Sequence, residues 1–418
     1  MVAPDTFFVN GPGASLVGTP PVTANVVAQK VRIVPEPLYP LVAPGLNFAD
    51  AGDASVTISP SQIAAITNTG TALVLQASND ILLRPLSDLT FNNPRGNGGD
   101  LTLQAGRNIA LNSSISTDNG NLTLIANDPG AIPGVREPGD GGIVQRTGTS
   151  LNAGTGTVTL AVRPSTATAT AGTIALSQVS AGAIDISAVN LSLSGTTLSA
   201  NGSPTAAGSL SVTSTGVLSV ANSTFNASSP TGDGGSITLD GTVLQIGGST
   251  FNAFGTGSGN GGTIALGALS TPFVPTSLSL TSSLLDARGG TAVLPLPLSN
   301  GGTITVDGGA IALAGATLNT SGGATGGTIA IGMAATNNPT SVSIVNSNLI
   351  ADPAATGGSI AVGGTTIFTS GSLYNVFGAS GGFLALGSPL TNALIFGAGT
   401  SVLGGGSGSF HLPGHHDL

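Results

Sequence analysis

The sequence predicts an all-β protein, a parallel β-helix with three short strands per turn and about 25–27 residues per turn. Three observations carry this. A Gly-Gly phrase returns along the chain, a second phrase returns at the same interval, and the apolar residues inside both alternate with polar ones. A fixed period of roughly 20–50 residues is the signature of a solenoid or array. Composition agrees. Glycine supplies 65 of 418 residues and charged residues only 6 %, against about 25 % charge in ordinary domains. There are two Glu, one Lys and no Trp. Amphipathic surface helices need charged outer faces, so helices are not expected. A mean hydropathy of +0.39 with so little charge is the reverse of a disordered composition. What remains is a β protein whose polar surface is Ser, Thr, Asn and Gly.

Residues 1–55 read as a Pro-rich lead-in, with Pro20, Pro21, Pro35, Pro37, Pro40 and Pro44, and with one or two strands such as 26–34. The β-helix is expected over 56–400. Its first sign is Leu73-Val74-Leu75-Gln76-Ala77 followed by Ile81-Leu82-Leu83, which recurs 28 residues later as Leu101-Thr102-Leu103-Gln104-Ala105 and Ile109-Ala110-Leu111. Leu122-Thr123-Leu124-Ile125-Ala126 answers 21 residues further on. Ser223-Thr224-Phe225-Asn226-Ala227 then recurs 26 residues later as Ser249-Thr250-Phe251-Asn252-Ala253. Looser copies begin at Thr196, Ser283, Ala316, Ser347 and Ser372. Residues 401–418 read as a Gly-rich, His-containing tail.

One period, 235–253, shows the logic. Ile237 and Leu239 alternate with polar residues, Leu244 and Ile246 do the same, and Phe251 lies in a third short run. Such alternation buries one face and wets the other. Gly and Asn between the runs are expected to supply positive-φ corners. Equivalent strands of successive turns should pair, setting Phe225 on Phe251 and Ile237 on Ile264. The first apolar residue after the Gly-Gly phrase, or after its Ala-Gly form at the start, falls at 210, 237, 264, 304, 329, 360 and 384, in steps of 27, 27, 40, 25, 31 and 24. The long step is assigned to swollen corners at 271–275 and 288–300. Residues 137–146 are another irregular stretch. Each Gly-Gly phrase thus marks the chain closing one turn and opening the next.

The phrases resemble the secreted filamentous-haemagglutinin-like family, in particular its large cyanobacterial versions. The residues that carry this are Gly99-Asp100-Leu101-Thr102-Leu103-Gln104-Ala105-Gly106-Arg107-Asn108-Ile109 with Ser113-Ser114-Ile115, then Ala77-Ser78-Asn79-Asp80-Ile81 and the later Ser-Thr-Phe-Asn-Ala and Gly-Gly-Ser-Ile units. The resemblance covers roughly 60–400. It implies a right-handed, single-stranded β-helical exoprotein, exported by two-partner secretion and placed at the cell surface or outer membrane in adhesion or aggregation. The first twenty residues lack a basic n-region and a long apolar run, so an export signal is expected outside this chain, which then reads as a piece of a longer one.

The chemistry-bearing residues are few. Net charge is −9, with no cluster of Lys and Arg, which argues against nucleic acid. There is no cysteine and no apolar run long enough for a membrane helix. A β-helical polysaccharide lyase or hydrolase, the alternative function, needs grouped carboxylates on one exposed face. Asp185, Asp240 and Asp307 fall on first-type strands in different turns and Asp286 stands beside Arg288. They read as solvated strand-end or corner aspartates. The Gly-Gly-Thr-Ile pattern does not fit calcium-binding nonapeptides. His411, His415 and His416 lie in an expected frayed tail. Gly404, Gly405 and Gly406 lack the Lys of a phosphate loop. Thr166, Thr168 and Thr170 alternate on one predicted strand, too narrow for an ice-binding ladder. No residue is therefore assigned a catalytic, cofactor-binding or metal-binding role, and no cofactor is expected. The expectation is a non-enzymatic adhesin or structural stalk, binding a cell-surface carbohydrate or protein receptor through the loops 271–275 and 288–300, or carrying other domains of a longer chain.

Overall fold

The computed structural model describes residues 24–28, 30–35, 55–132, 134–164, 170–202, 207–228, 232–267, 275–290, 299–333, 338–352, 355–388, 390–404 and 409–411. The chain divides into two compact units between Leu191 and Ser192. Each is a parallel β-helix, in which three strands make one turn and every strand pairs with its equivalents one turn before and after.

In the first unit the first face stacks Ala24–Ala28, Leu73–Ala77, Leu101–Ala105, Leu122–Ala126, Thr157–Val162 and Ala183–Ala188. The second face runs from Ser55–Ile58 through Lys30–Ile33, Ile81–Leu83 and Ile109–Leu111 to Asp140–Gln145 and Thr170–Ala175. The third stacks Leu89–Thr90, Ile115–Ser116, Ser150–Asn152 and Gln178–Ala181. Register follows the sequence repeat: Leu73 lies on Leu101, Leu101 on Leu122 and Ile81 on Ile109. The irregular stretch 137–146 contains a strand after all, with a register shift between Gly141 and Ile143.

The expectation of no helix fails at Pro60–Thr67. In chain order this helix stands where a third-face strand would be, between Ser55–Ile58 and Leu73–Ala77. Its start was legible. Ser59 is the cap, Pro60 is pre-set for a first helical position, and the Gln62 side chain accepts a hydrogen bond from the Ser59 N–H at 2.9 Å, the second half of a capping box. Ile63 and Ile66 are buried, and the Gly99 N–H donates to the Thr67 carbonyl at 2.7 Å, tying the helix to the next turn.

In the second unit the first face stacks Ser209–Ser214, Ser236–Asp240, Thr263–Leu266, Thr303–Val306, Thr328–Ile331, Ser359–Val362, Phe383–Leu386 and Ser409–His411. The second face runs from Val217–Ala221 to Ala393–Phe396, and the third from Thr197–Ala200 to Ser401–Leu403. Like residues stack inside. Leu210, Ile237, Ile264, Ile304, Ile329, Ile360 and Leu384 form one column, each at most 1 % exposed. Phe225 and Phe251 stack with ring centroids 4.8 Å apart, a separation at which aromatic pairs add to simple burial. The ladder continues past residue 400: the expected tail supplies Ser401–Leu403 and Ser409–His411, and His411 ends a strand with its side chain exposed. His415 and His416 lie outside the described residues, as do Thr166 and Thr168.

The corners divide labour in a way the glycine count conceals. Positive φ recurs turn after turn at the corner between second and third strands. There Gly195, Asn222, Gly248, Ser282, Gly315, Asn346, Gly371 and Gly399 all have φ between 47° and 77°. The Gly-Gly corner between third and first strands is different. Gly234, Gly235, Gly261, Gly262, Gly301, Gly302, Gly326, Gly327, Gly357 and Gly358 do not adopt positive φ, so the expectation fails for these copies of the phrase and holds in the last one, where Gly381 has φ 75°. They are small because the chain packs against itself: a Cβ on Gly261 would stand 1.9 Å from the Ala287 carbonyl oxygen, and one on Gly301 would stand 1.8 Å from that of Thr320.

A buried hydroxyl ladder explains the leading Ser of the second phrase. The Thr196 N–H donates to Ser223 Oγ, the Ser223 N–H to Ser249 Oγ, and the Ser249 N–H to Ser283 Oγ, at 3.1–3.2 Å. After a gap at Ala316 the ladder resumes, with Ala316 N–H to Ser347 Oγ and Ser347 N–H to Ser372 Oγ. Each serine returns its own proton to a carbonyl two residues back, as Ser249 does to Gly247 at 3.0 Å.

Candidate functional site

The Gly-Gly corner of the second unit holds two shallow cavities of about 400 Å³ and about 390 Å³. The first is lined by Gly208, Ser209, Gly234, Gly235, Ser236, Asn260, Gly261, Gly262 and Thr263, with Asp233 at its rim. The second is lined by the same positions further along, from Gly326 to Thr328 and Gly357 to Ser359, and reaches Ser380, Phe383 and Ser409. The turn carrying Gly301, Gly302 and Thr303 is stacked between them. The floor is backbone, and its amides are spent on the fold. Gly262 N–H donates to Ala253 O at 2.7 Å, Gly302 N–H to Ala287 O at 2.7 Å and Gly327 N–H to Thr320 O at 2.7 Å.

The walls carry the available chemistry. One wall is a column of hydroxyls in register: Ser209, Ser236, Thr263, Thr303, Thr328 and Ser359. Strand pairing sets their spacing at about 4.8 Å per turn. Among the described residues none of these six side chains makes a hydrogen bond, whereas the buried ladder serines Ser223, Ser249, Ser283, Ser347 and Ser372 are all engaged. Phe383 takes the next place in this column, 42 % exposed. The opposite wall is a ladder of side-chain oxygens. Asp233 Oδ1 accepts from the Asn260 N–H at 2.6 Å, Asn260 Oδ1 from the Asn300 N–H at 2.9 Å, and Asn300 Oδ1 from the Thr325 hydroxyl at 2.7 Å. This leaves the Nδ2 donors of Asn260 and Asn300 with no hydrogen bond among the described residues. Sequence reading passed over the column because it treated the residue after Gly-Gly as a strand opener. The signal was present in the repeated Ser or Thr at that place.

Of the loops expected to bind, 271–274 and 291–298 lie outside the described residues. In chain order 291–298 fall between Leu284–Asp286 and Thr303–Val306, and Asn300, which follows them, takes part in the ladder of side-chain oxygens. At the start of that loop Arg288 Nε is 3.2 Å from Asp286 Oδ2, and the guanidinium carbon is 5.7 Å from the centroid of the Phe254 ring.

The aspartates do not behave as solvated corners. Asp240, Asp286 and Asp307 are 3 %, 5 % and 5 % exposed. Burial pushes the Asp286 carboxyl above its ordinary value, against the opposing charge of Arg288. Asp240 and Asp307 stand two turns apart in register, with Gly267 between them, and the Asp240 carboxylate accepts the Gly241 N–H at 2.9 Å. Asp185 is exposed on the first face of the other unit. Within the second unit Asp240 therefore ends a first-face strand and Asp307 follows one, while Asp286 lies on a third-face strand. Among the described residues no group of three or more His, Asp or Glu is placed to hold a metal ion, and no helix is long and apolar enough to cross a membrane.

The densest charge lies in the first unit. Glu137 bridges Lys30 Nζ at 2.6 Å and Arg107 Nη2 at 2.7 Å, and Arg107 also holds Asp80 at 2.6 Å. Burial raises the Asp80 carboxyl, but the Arg107 hydrogen bond and charge outweigh it and leave the group below its ordinary value. The Lys30 hydrogen bond holds Glu137 below its own. Arg136 donates to Gly106 O at 2.6 Å and to Asn127 Oδ1 at 2.9 Å. These groups are paired with one another, so the cluster pins segment 136–139 to the strand stack.

Comparison with protein-family models, with curated proteins and with solved structures finds no match.

Proposed function

We propose that this chain is a β-helical surface exoprotein that acts as an adhesin or structural stalk, without enzymatic turnover. The observation that carries the reading is the economy of the stack. Strands pair from turn to turn on three faces, and the outward side chains of the second unit are left almost without charge. Among its described residues the only exposed or half-exposed Asp, Glu, Lys or Arg side chains are Asp233, Arg288 and Asp352. Such a scaffold holds a repeated surface rigidly, which suits contact with an extended partner, and among its described residues no group of three or more His, Asp or Glu converges. The resemblance to secreted haemagglutinin-like repeats supports the same reading and an extracellular setting.

The test is to pass the purified chain over immobilised cells and a panel of surface polysaccharides while assaying the eluate for released sugar. Retention without release is expected. Released oligosaccharide would replace the reading with a lyase or hydrolase, and no retention on any surface would leave a spacer.

A further inference from the structure

We infer that the Gly-Gly corner groove of the second unit binds a neutral, extended, hydroxyl-rich polymer, a polysaccharide chain lying parallel to the stacking direction. The inference rests on the adhesin reading and names its ligand. Four features of the groove select this chemistry. The first is shape: two cavities lie at the same corner and each spans at least three stacked turns, so each is elongated along the stacking direction. The second is hydrogen bonding. Six hydroxyls on one wall and two amide Nδ2 groups on the other offer donors and acceptors at a regular interval, and none is committed to a described protein partner. Buried or partly buried polar groups gain most from a partner that can both donate and accept, which is what sugar hydroxyls do.

The third feature is charge. Among the described residues the lining of the two cavities contains no cation, and Asp233 is its one anion. A sulfated or carboxylated polymer would have no counter-charge and would meet Asp233, while a polycation would find one carboxylate only. The fourth is Phe383. It breaks the Ser/Thr column with an aromatic face 42 % exposed, lining the second cavity. An exposed ring flanked by the hydroxyls of Ser359, Ser380 and Ser409 stacks on the C–H face of a pyranose while its neighbours take the sugar hydroxyls. A protein strand is the poorer occupant, because the groove's backbone amides are already paired turn to turn and none is left for strand addition.

Isothermal titration with cellohexaose, with a neutral mannan hexasaccharide and with hexagalacturonate separates the outcomes. At least one neutral hexamer is expected to bind and the uronate is not. Thr263→Lys with Thr328→Lys puts two bulky cations into the column at exposed positions. The pair should weaken neutral-sugar binding about tenfold or more, the effect of losing ~1.4 kcal/mol. Phe383→Ala should weaken it severalfold. Ser219→Lys, on the second face, is the control and should change nothing, and circular dichroism confirms that each variant folds. The inference is overturned if neither neutral hexamer binds, if the uronate binds best, or if the lysine pair binds as tightly as the parent. Cell retention is measured on the same variants. Retention that survives the lysine pair would move adhesion to another surface and overturn the groove alone. Sugar binding without cell retention would keep the groove and remove the adhesin role.

Discussion

Ser249→Ala should cost the second unit about 2 kcal/mol, the middle of the range for a buried donor deprived of its acceptor. Ser249 is 1 % exposed. Its Oγ accepts the Ser223 N–H at 3.2 Å and donates to Gly247 O at 3.0 Å. Truncation leaves the Ser223 N–H without its acceptor, while the Gly247 carbonyl keeps the Asn222 N–H at 2.9 Å. The reverse change belongs at Ala316, the one missing rung. It is 0 % exposed, and its N–H already donates to Ser347 Oγ at 3.2 Å. In Ala316→Ser a hydroxyl would meet the Ser283 N–H, which has no partner among the described residues, and should stabilise by about 1 kcal/mol. Stacked turns unfold with strong nearest-neighbour coupling, so amide hydrogen exchange reads the effect more directly than one global midpoint. In Ser249→Ala the Ser223 amide should exchange about thirtyfold faster, the equivalent of ~2 kcal/mol. In Ala316→Ser the Ser283 amide should slow. Unchanged protection at Ser223, with a midpoint within about 0.3 kcal/mol of the parent, would show that the ladder is geometry without energetic weight.

Two further tests follow from the corners and the charges. Ser282 holds φ 47° without being Gly or Asn, so Ser282→Gly should stabilise by about 0.5 kcal/mol as the left-handed strain is released. Gly261→Ala, where the Cβ would strike the Ala287 carbonyl oxygen, should cost ~3 kcal/mol or prevent folding. Equal small effects at the two sites in urea melts would refute the division between a conformational corner and a close-packed one. In the first unit Asp80 and Glu137 are both held below their ordinary values in the folded state. Their contribution is therefore present above the unfolded carboxylate values near pH 4 and is lost as pH falls through the lowered folded ones. The melting temperature of the parent should drop more steeply below about pH 4 than that of Glu137→Gln, and parallel curves would contradict the clamp.

Much of this molecule was set by the sequence alone. Period-2 alternation inside a recurring phrase can be satisfied only by strands that repeat, and like-on-like stacking follows because identical turns have identical inward faces. Hence Phe225 on Phe251 and Ile237 on Ile264 could be read before any coordinates. The helix at 60–67 was legible too, through Ser59, Pro60 and Gln62, and was missed because composition outweighed a local capping signal. Tertiary structure decided three things. Glycine serves two ends, left-handed φ and close backbone approach, and only the packed corner tells which applies to Gly248 and which to Gly261. Asp240, Asp286 and Asp307 look like corner residues in one dimension, yet neighbouring chain covers them. The hydroxyl column from Ser209 to Ser359 is a property of no single turn. Residues 25–40 positions apart in sequence come within one strand spacing only when the turns stack, and a binding surface made by stacking cannot be read from any one repeat.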